Sequence, residues 1–190
     1  MTLLSPPPRT TPGLEDLVTA IRAVVSSRGD WPQTARRAAE ALRGQLSSPG
    51  VLTGAQRGDP EDPRSRLLHV EPDGTFSILA IVWRPGQVTR IHDHVTWCVF
   101  GVLEGTQLEE LFTPGGNGEF LIPAARRMIA TGEVSGFAPP GDIHRLGNPG
   151  GRTAISIHVY GTDLSRIGSS TRRYYELPVR SGLTDAVASR

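Results

Sequence analysis

From residue 65 onward, glycine and proline cut the chain into apolar runs too short for helices. The stretch "RLLHVEPDGTFSILAIVWRPGQ" breaks at Pro72-Asp73-Gly74 and again at Pro85-Gly86. An Asp-Gly pair between apolar runs signals a hairpin, because both residues tolerate the positive φ of a tight turn. "WCVFGVLEG" and "TQLEELFTP" follow, then a glycine turn at Gly115-Gly116 and further short segments ending in "TAISIHVYG". The 22 glycines and 16 prolines supply the turns that many short strands need. Strands at this spacing predict a mainly β sandwich or small barrel.

The first third has a different period. Leu14, Leu17, Val18, Ile21, Val24 and Val25 recur at helical spacing, with Pro12 near the start and Gly29 past the end. A second, alanine-rich helix fits Pro32 to Leu46, with Pro49-Gly50 as its stop. The expected organisation is a disordered start over residues 1–12 and a helical segment with a polar loop over 13–60. A barrel over 61–180 and a tail over 181–190 complete what is in effect a single domain. A net charge of +1 offers no field for nucleic acid or an anionic membrane. No apolar run is long enough to span a bilayer, and the N-terminus has no secretory pattern. The lone Cys98 excludes an internal disulfide and fits a reducing compartment, so a cytoplasmic protein is expected.

The chemistry concentrates in "IHDHVTWCVFGVLEG". On a strand, His92 and His94 project to one side, and Asp93 points away from them. Such a pair is either a metal site or two polar residues facing water. Likewise Ser156, His158 and Tyr160 alternate along "SIHVYG", either as a hydrogen-bonded row or as the wet face of a strand whose Ile155, Ile157 and Val159 face the core. His69 reads as an ordinary polar residue of the first barrel strand. Trp83 reads as core, and Trp97 and Phe100 as packed in or near a pocket. Glu104, Glu109 and Glu110 read as a solvated face.

Two segments resemble the motifs of the cupin superfamily. Gly86, His92, His94 and Gly105 match the first motif, with Cys98 where a glutamate normally stands. Pro139-Pro140-Gly141, His144 and Asn148 match the second. The resemblance implies a cupin double-stranded β-helix, or jelly-roll barrel, with two N-terminal α-helices packed on it. It also implies that His92, His94 and His144 converge on one metal. Three neutral imidazoles without the glutamate leave a divalent ion its full charge, which favours an anionic ligand such as a thiolate.

With Cys98 in the glutamate position, "GDIHRLGN" and "SIHVYG", the chain resembles the thiol dioxygenases, the cysteine and 3-mercaptopropionate dioxygenase group, over roughly residues 64–175. That resemblance implies iron(II) on the three histidines and a small thiol-carboxylate, L-cysteine or 3-mercaptopropionate, oxidised by O2 to its sulfinate. Tyr160 then steers the reactants, with His158 and Ser156 orienting it. A monomer or weak homodimer is expected. Arg66 or Arg173 is expected to bind the carboxylate, with Arg166 and Arg172 as further candidates. Cys98 has three readings: a small buried residue, a metal ligand, or a thioether partner of Tyr160. Two other functions stay open. One is a non-catalytic metal- or ligand-binding cupin; the other is a cupin enzyme with another metal and substrate.

Overall fold

The computed structural model describes residues 10–47, 50–57 and 65–180. The expected tail over 181–190, residues 1–9 of the expected disordered start, and residues 58–64 of the polar loop lie outside them. Helix α1 spans Pro12–Ser26 and α2 spans Trp31–Leu46. Thr11, expected to be disordered, is the N-cap of α1, its hydroxyl accepting from the Leu14 N–H. Asp30 caps α2 by accepting from Gln33 N–H, and both helices carry proline in the first turn, where no N–H is missed. Part of the expected polar loop forms a single turn, α3, over Gly54–Arg57.

Ten strands follow: β1 (Ser65–Val70), β2 (Ser77–Trp83), β3 (His92–His94), β4 (Cys98–Glu104) and β5 (Thr106–Gly115). The rest are β6 (Phe120–Ala130), β7 (Val134–Phe137), β8 (His144–Gly147), β9 (Ala154–Tyr160) and β10 (Thr171–Tyr174), with a short helix α4 at Leu164–Ile167 before β10. They form two five-stranded antiparallel sheets, in the orders β1-β2-β9-β4-β7 and β10-β3-β8-β5-β6. The expected hairpin at Asp73-Gly74 joins β1 to β2, and Gly74 has the positive φ of 75° that selects glycine. This is the mainly β two-sheet sandwich with two N-terminal helices that the resemblance implied.

The central strands β2, β9 and β4 of the first sheet are buried on both faces along most of their length. Ile78, Ala80 and Val82 of β2, Val99 of β4, and Ile155, Ile157 and Val159 of β9 pack against Leu14, Leu17, Ile21, Ala38 and Leu42 of the helices. Helix α2 comes so close at Gly101 that a Cβ there would lie 2.6 Å from Leu46 Cδ1. The helices thus cover the outer face of the sheet. The other face, built from alternate residues of the same strands, lines the interior between the sheets. Asn148 of the second motif ties the barrel end, donating from Nδ2 to the carbonyls of Trp83 and Arg152. Among the described residues, no helix is long and apolar enough to cross a membrane.

Candidate active site

The three motif histidines meet inside the barrel. His92 and His94 leave β3 on one side, and His144, at the start of β8, pairs directly with His92. One ring nitrogen from each lies within 4.8 Å of the others. The residues are only 9%, 2% and 1% exposed. Each Nδ1 is already engaged. That of His92 donates to the Arg90 carbonyl at 2.9 Å. A carbonyl only accepts, so this nitrogen carries the proton and Nε2 keeps its lone pair. His94 Nδ1 faces Asp142 Oδ2 at 3.2 Å, and His144 Nδ1 faces Glu109 Oε1 at 3.4 Å. His144 Nε2 is buried without a partner, which costs free energy unless something binds there.

Burial, followed by the neighbouring His144 and His94, lowers the His92 pKa to about 3. Burial also holds His144 below its usual range. These two rings are therefore neutral at ordinary pH, the form in which imidazole ligates a cation. The donor set fits a divalent transition-metal ion. Asp93 is not part of it. Its carboxylate leaves β3 on the opposite side and accepts from Arg172, Arg173 and Tyr175.

Two acidic residues behind the histidines escaped the sequence reading. Glu109, expected on a solvated face, is 0% exposed. Burial pushes its carboxyl up, but bonds from His144 and Ser135 and the charge of Arg127 outweigh this and hold it below the usual range. Asp142 accepts from both the backbone N–H and Nδ1 of His94. Burial raises its carboxyl as well, and the bonds from His94 more than offset that. The expectation holds for Glu104, which is exposed, and for Glu110, paired with Arg145 near the surface. An acid two residues before a motif histidine was the available signal for Asp142. Glu109 lies in a different strand, and its approach to His144 is a matter of tertiary register.

The Ser-His-Tyr row of β9 faces this interior, not water: all seven residues of the strand are buried. Ser156 Oγ lies 2.8 Å from His158 Nε2, and Tyr160 Oη lies 3.3 Å from His158 Nδ1. Trp83, expected only as core, donates from Nε1 to Ser156 Oγ at 2.9 Å. Phe100 stacks on the His158 ring at 5.3 Å, close to the expected pocket position. Trp97 departs from that expectation and packs into the helix-facing core. Burial, then the nearby His144, His94 and His92, lowers the His158 pKa to about 3. Burial and then Cys98 raise the Tyr160 phenol well above its usual value. Cys98 sits directly opposite Tyr160 in the β4–β9 ladder, and burial raises its thiol as well. Cys98 lies outside the three-histidine cluster.

A cavity of about 460 Å³ opens beside His92 and Tyr160. Leu79, Ile81 and Leu164 line one part, and Ser169, Ser170, Thr171 and Tyr174 another. Neither arginine expected to bind a carboxylate lines it. Arg66 pairs with Ala80, which belongs to the helix-facing core, so its side chain leaves the sheet on the far side from the cavity. Arg173 donates from Nε to Asp93 Oδ2 at 2.8 Å, on the outer face of β3. Arg172 bonds the same oxygen, and Arg166 lines a separate surface depression beside Asp73 and Asp163. The expectation for Arg66 and Arg173 is therefore not carried forward.

Known proteins share parts of this chain. The cysteine dioxygenase type 1 of Bos taurus is 26% identical over 99 residues, and this match takes in 50% of each chain. The chain thus spans about half the length of that curated relative. A cupin 2 conserved barrel domain protein from Salinispora arenicola CNS-205 aligns at 22% identity and a TM-score of 0.40, covering 56% of this chain and 85% of its own. Oxalate oxidase in complex with the substrate analogue glycolate aligns at 18% identity and a TM-score of 0.45, over 62% of this chain and 63% of that one. Neither structural likeness is close enough to bear on the chemistry. The family model for cysteine dioxygenase type I, in contrast, matches residues 59–173, which hold all three histidines and the whole Ser-His-Tyr row. Since that match takes in more than half of the chain, the protein belongs to the cysteine dioxygenase type I family.

Proposed function

We propose that this protein is a mononuclear iron(II) thiol dioxygenase that converts a small thiol-carboxylate, L-cysteine or 3-mercaptopropionate, and O2 into the sulfinate. One observation carries the reading: the three-histidine cluster and the buried Ser156-His158-Tyr160 row open on one cavity through His92 and Tyr160. A generic metal-binding barrel has no need of that row. Iron(II), held by His92, His94 and His144, supplies the redox chemistry and favours the substrate sulfur as thiolate.

The chain's own residues do the rest. Tyr160 stays protonated and presents its O–H at the cavity wall, with His158 behind it. The hydroxyls of Ser169, Ser170 and Thr171 and the phenol of Tyr174 offer hydrogen bonds to the polar end of the thiol. Leu79, Ile81 and Leu164 cover its carbon chain and exclude water. Cys98, opposite Tyr160, is suitably placed for a thioether to that ring, and intact-mass analysis two daltons below the sequence mass would detect it.

The test is oxygen uptake by iron-loaded protein with L-cysteine, 3-mercaptopropionate and cysteamine in turn. Sulfinate should form with one of the two carboxylates. Protein shown to hold iron that consumes no oxygen with any of the three sinks the reading. His92→Ala should lose iron, whereas Tyr160→Phe should keep it and lose rate, by about 100-fold or more for a positioned proton donor.

A further inference from the structure

We propose that Glu109 and Asp142 supply, from behind the histidines, the negative charge that the ligand set lacks, and that Arg127 sets how much of it reaches His144. The inference rests on the reading of His92, His94 and His144 as metal ligands.

Three neutral imidazoles bring no charge to a divalent ion. In the cupin pattern a glutamate offsets part of that charge, and here Cys98 stands in its place. The two buried carboxylates bond to the Nδ1 atoms of His94 and His144. A carboxylate that accepts from Nδ1 makes Nε2 a stronger donor and fixes the ring's orientation. In a dry interior, a charge one imidazole away from the metal is poorly screened.

The two carboxylates are not equivalent. Asp142 accepts from the backbone N–H and Nδ1 of His94, and no cationic side chain bonds to it among the described residues. Glu109 is shared. Its Oε1 faces His144, while its Oε2 accepts from Ser135 Oγ at 2.8 Å and from Arg127 Nη2 at 2.7 Å. The Arg127 side chain is 50% exposed, and its Nη2 lies 2.7 Å from the fully buried Glu109 Oε2. Glu109 and Arg127 face each other across the β5–β6 ladder, so a half-exposed guanidinium stands two contacts from the ring of His144. Its charge opposes that of Glu109. Removing either one must move the centre in opposite directions.

That opposition is the test. Iron(II) affinity of the full chain is measured anaerobically by competition with a chromogenic chelator, and the midpoint potential of the loaded protein is measured alongside. Glu109→Gln and Asp142→Asn should each weaken iron(II) binding, by about 10- to 100-fold, and raise the potential. Arg127→Gln, which keeps an N–H donor but loses the charge, should tighten binding several-fold and lower the potential. Wild-type values in Glu109→Gln overturn the proposal. So does a loss of affinity in Arg127→Gln that matches that of Glu109→Gln, since it makes the trio a scaffold without an electrostatic role. Wild-type protein that binds no iron(II) overturns the metal reading, and this inference with it. Arg127 is a surface side chain, so its variant folds even where a buried one does not.

Discussion

An indole N–H donates and cannot accept, so the 2.9 Å bond from Trp83 Nε1 to Ser156 Oγ leaves the serine's own proton for His158 Nε2. His158 then carries its proton on Nδ1 and donates it to Tyr160 Oη, so the phenol proton points away from His158. One residue outside the motif thus gives the row its direction. Trp83→Phe keeps the ring and removes the donor. Thiol-dependent oxygen uptake should fall about 10-fold while iron content stays at the wild-type value. Combining it with Ser156→Ala should cost little more than either alone, because both act on the same proton. An unchanged rate in Trp83→Phe would show that the direction of the row is immaterial. At this scale the sequence revealed the residues whose spacing is local: His92 with His94, and Ser156, His158 and Tyr160 along one strand. It hid Trp83, Glu109 and Asp142, whose roles depend on which strand lies beside which. Nor does spacing along the chain fix the face that Arg66 takes, which is set by its pairing with Ala80 of β2.

One wall of the cavity is β10, a four-residue strand that among the described residues pairs only with β3. Its inward residues Thr171 and Tyr174 line the cavity, while Arg172 and Arg173 turn outward to Asp93. Asp93 is 0% exposed, and its Oδ2 also accepts from the Tyr175 hydroxyl at 2.9 Å. Burial raises its carboxyl, but Arg172, Tyr175 and Arg173 together hold it below the usual range. The residue between two candidate metal ligands therefore clamps the outer wall of the cavity to the strand that carries them. Asp93→Asn removes the charge from three hydrogen bonds, a local loss of about 2 kcal/mol. Amide exchange over Thr171–Tyr174 should accelerate markedly, while β9 keeps its protection. Equal exchange in both proteins would mean that backbone pairing alone holds β10. The helices and the β1–β2 hairpin were legible because their period or turn residues are contiguous. In contrast, "TRRY" carries no apolar alternation, and its strand exists only because β3 and Asp93 wait beside it.

Across the whole molecule, the first sheet separates two environments. One face is apolar and sealed by the helices; the other carries the buried Ser156 and His158 among apolar side chains. The second face makes the metal-free protein sensitive to acid. His92 and His158 have pKa values lowered to about 3, against about 6.5 in an unfolded chain. Between those values the unfolded chain binds protons that the folded chain does not. Stability must therefore fall as pH drops below about 6.5, by up to ~1.4 kcal/mol per pH unit for each such histidine. The carboxyls of Asp93, Glu109 and Asp142 are held low, so they stabilise the fold above about pH 4 and lose that contribution only as pH falls further. The range from pH 6.5 to 4.5 therefore isolates the histidines. Urea unfolding of metal-free protein across that range should show a steady loss. His158→Gln, which cannot take up the proton in either state, should flatten the slope by ~1.4 kcal/mol per pH unit. A wild-type curve that is flat from pH 6.5 to 4.5 would mean these rings gain protons without unfolding, and that water reaches the interior face after all.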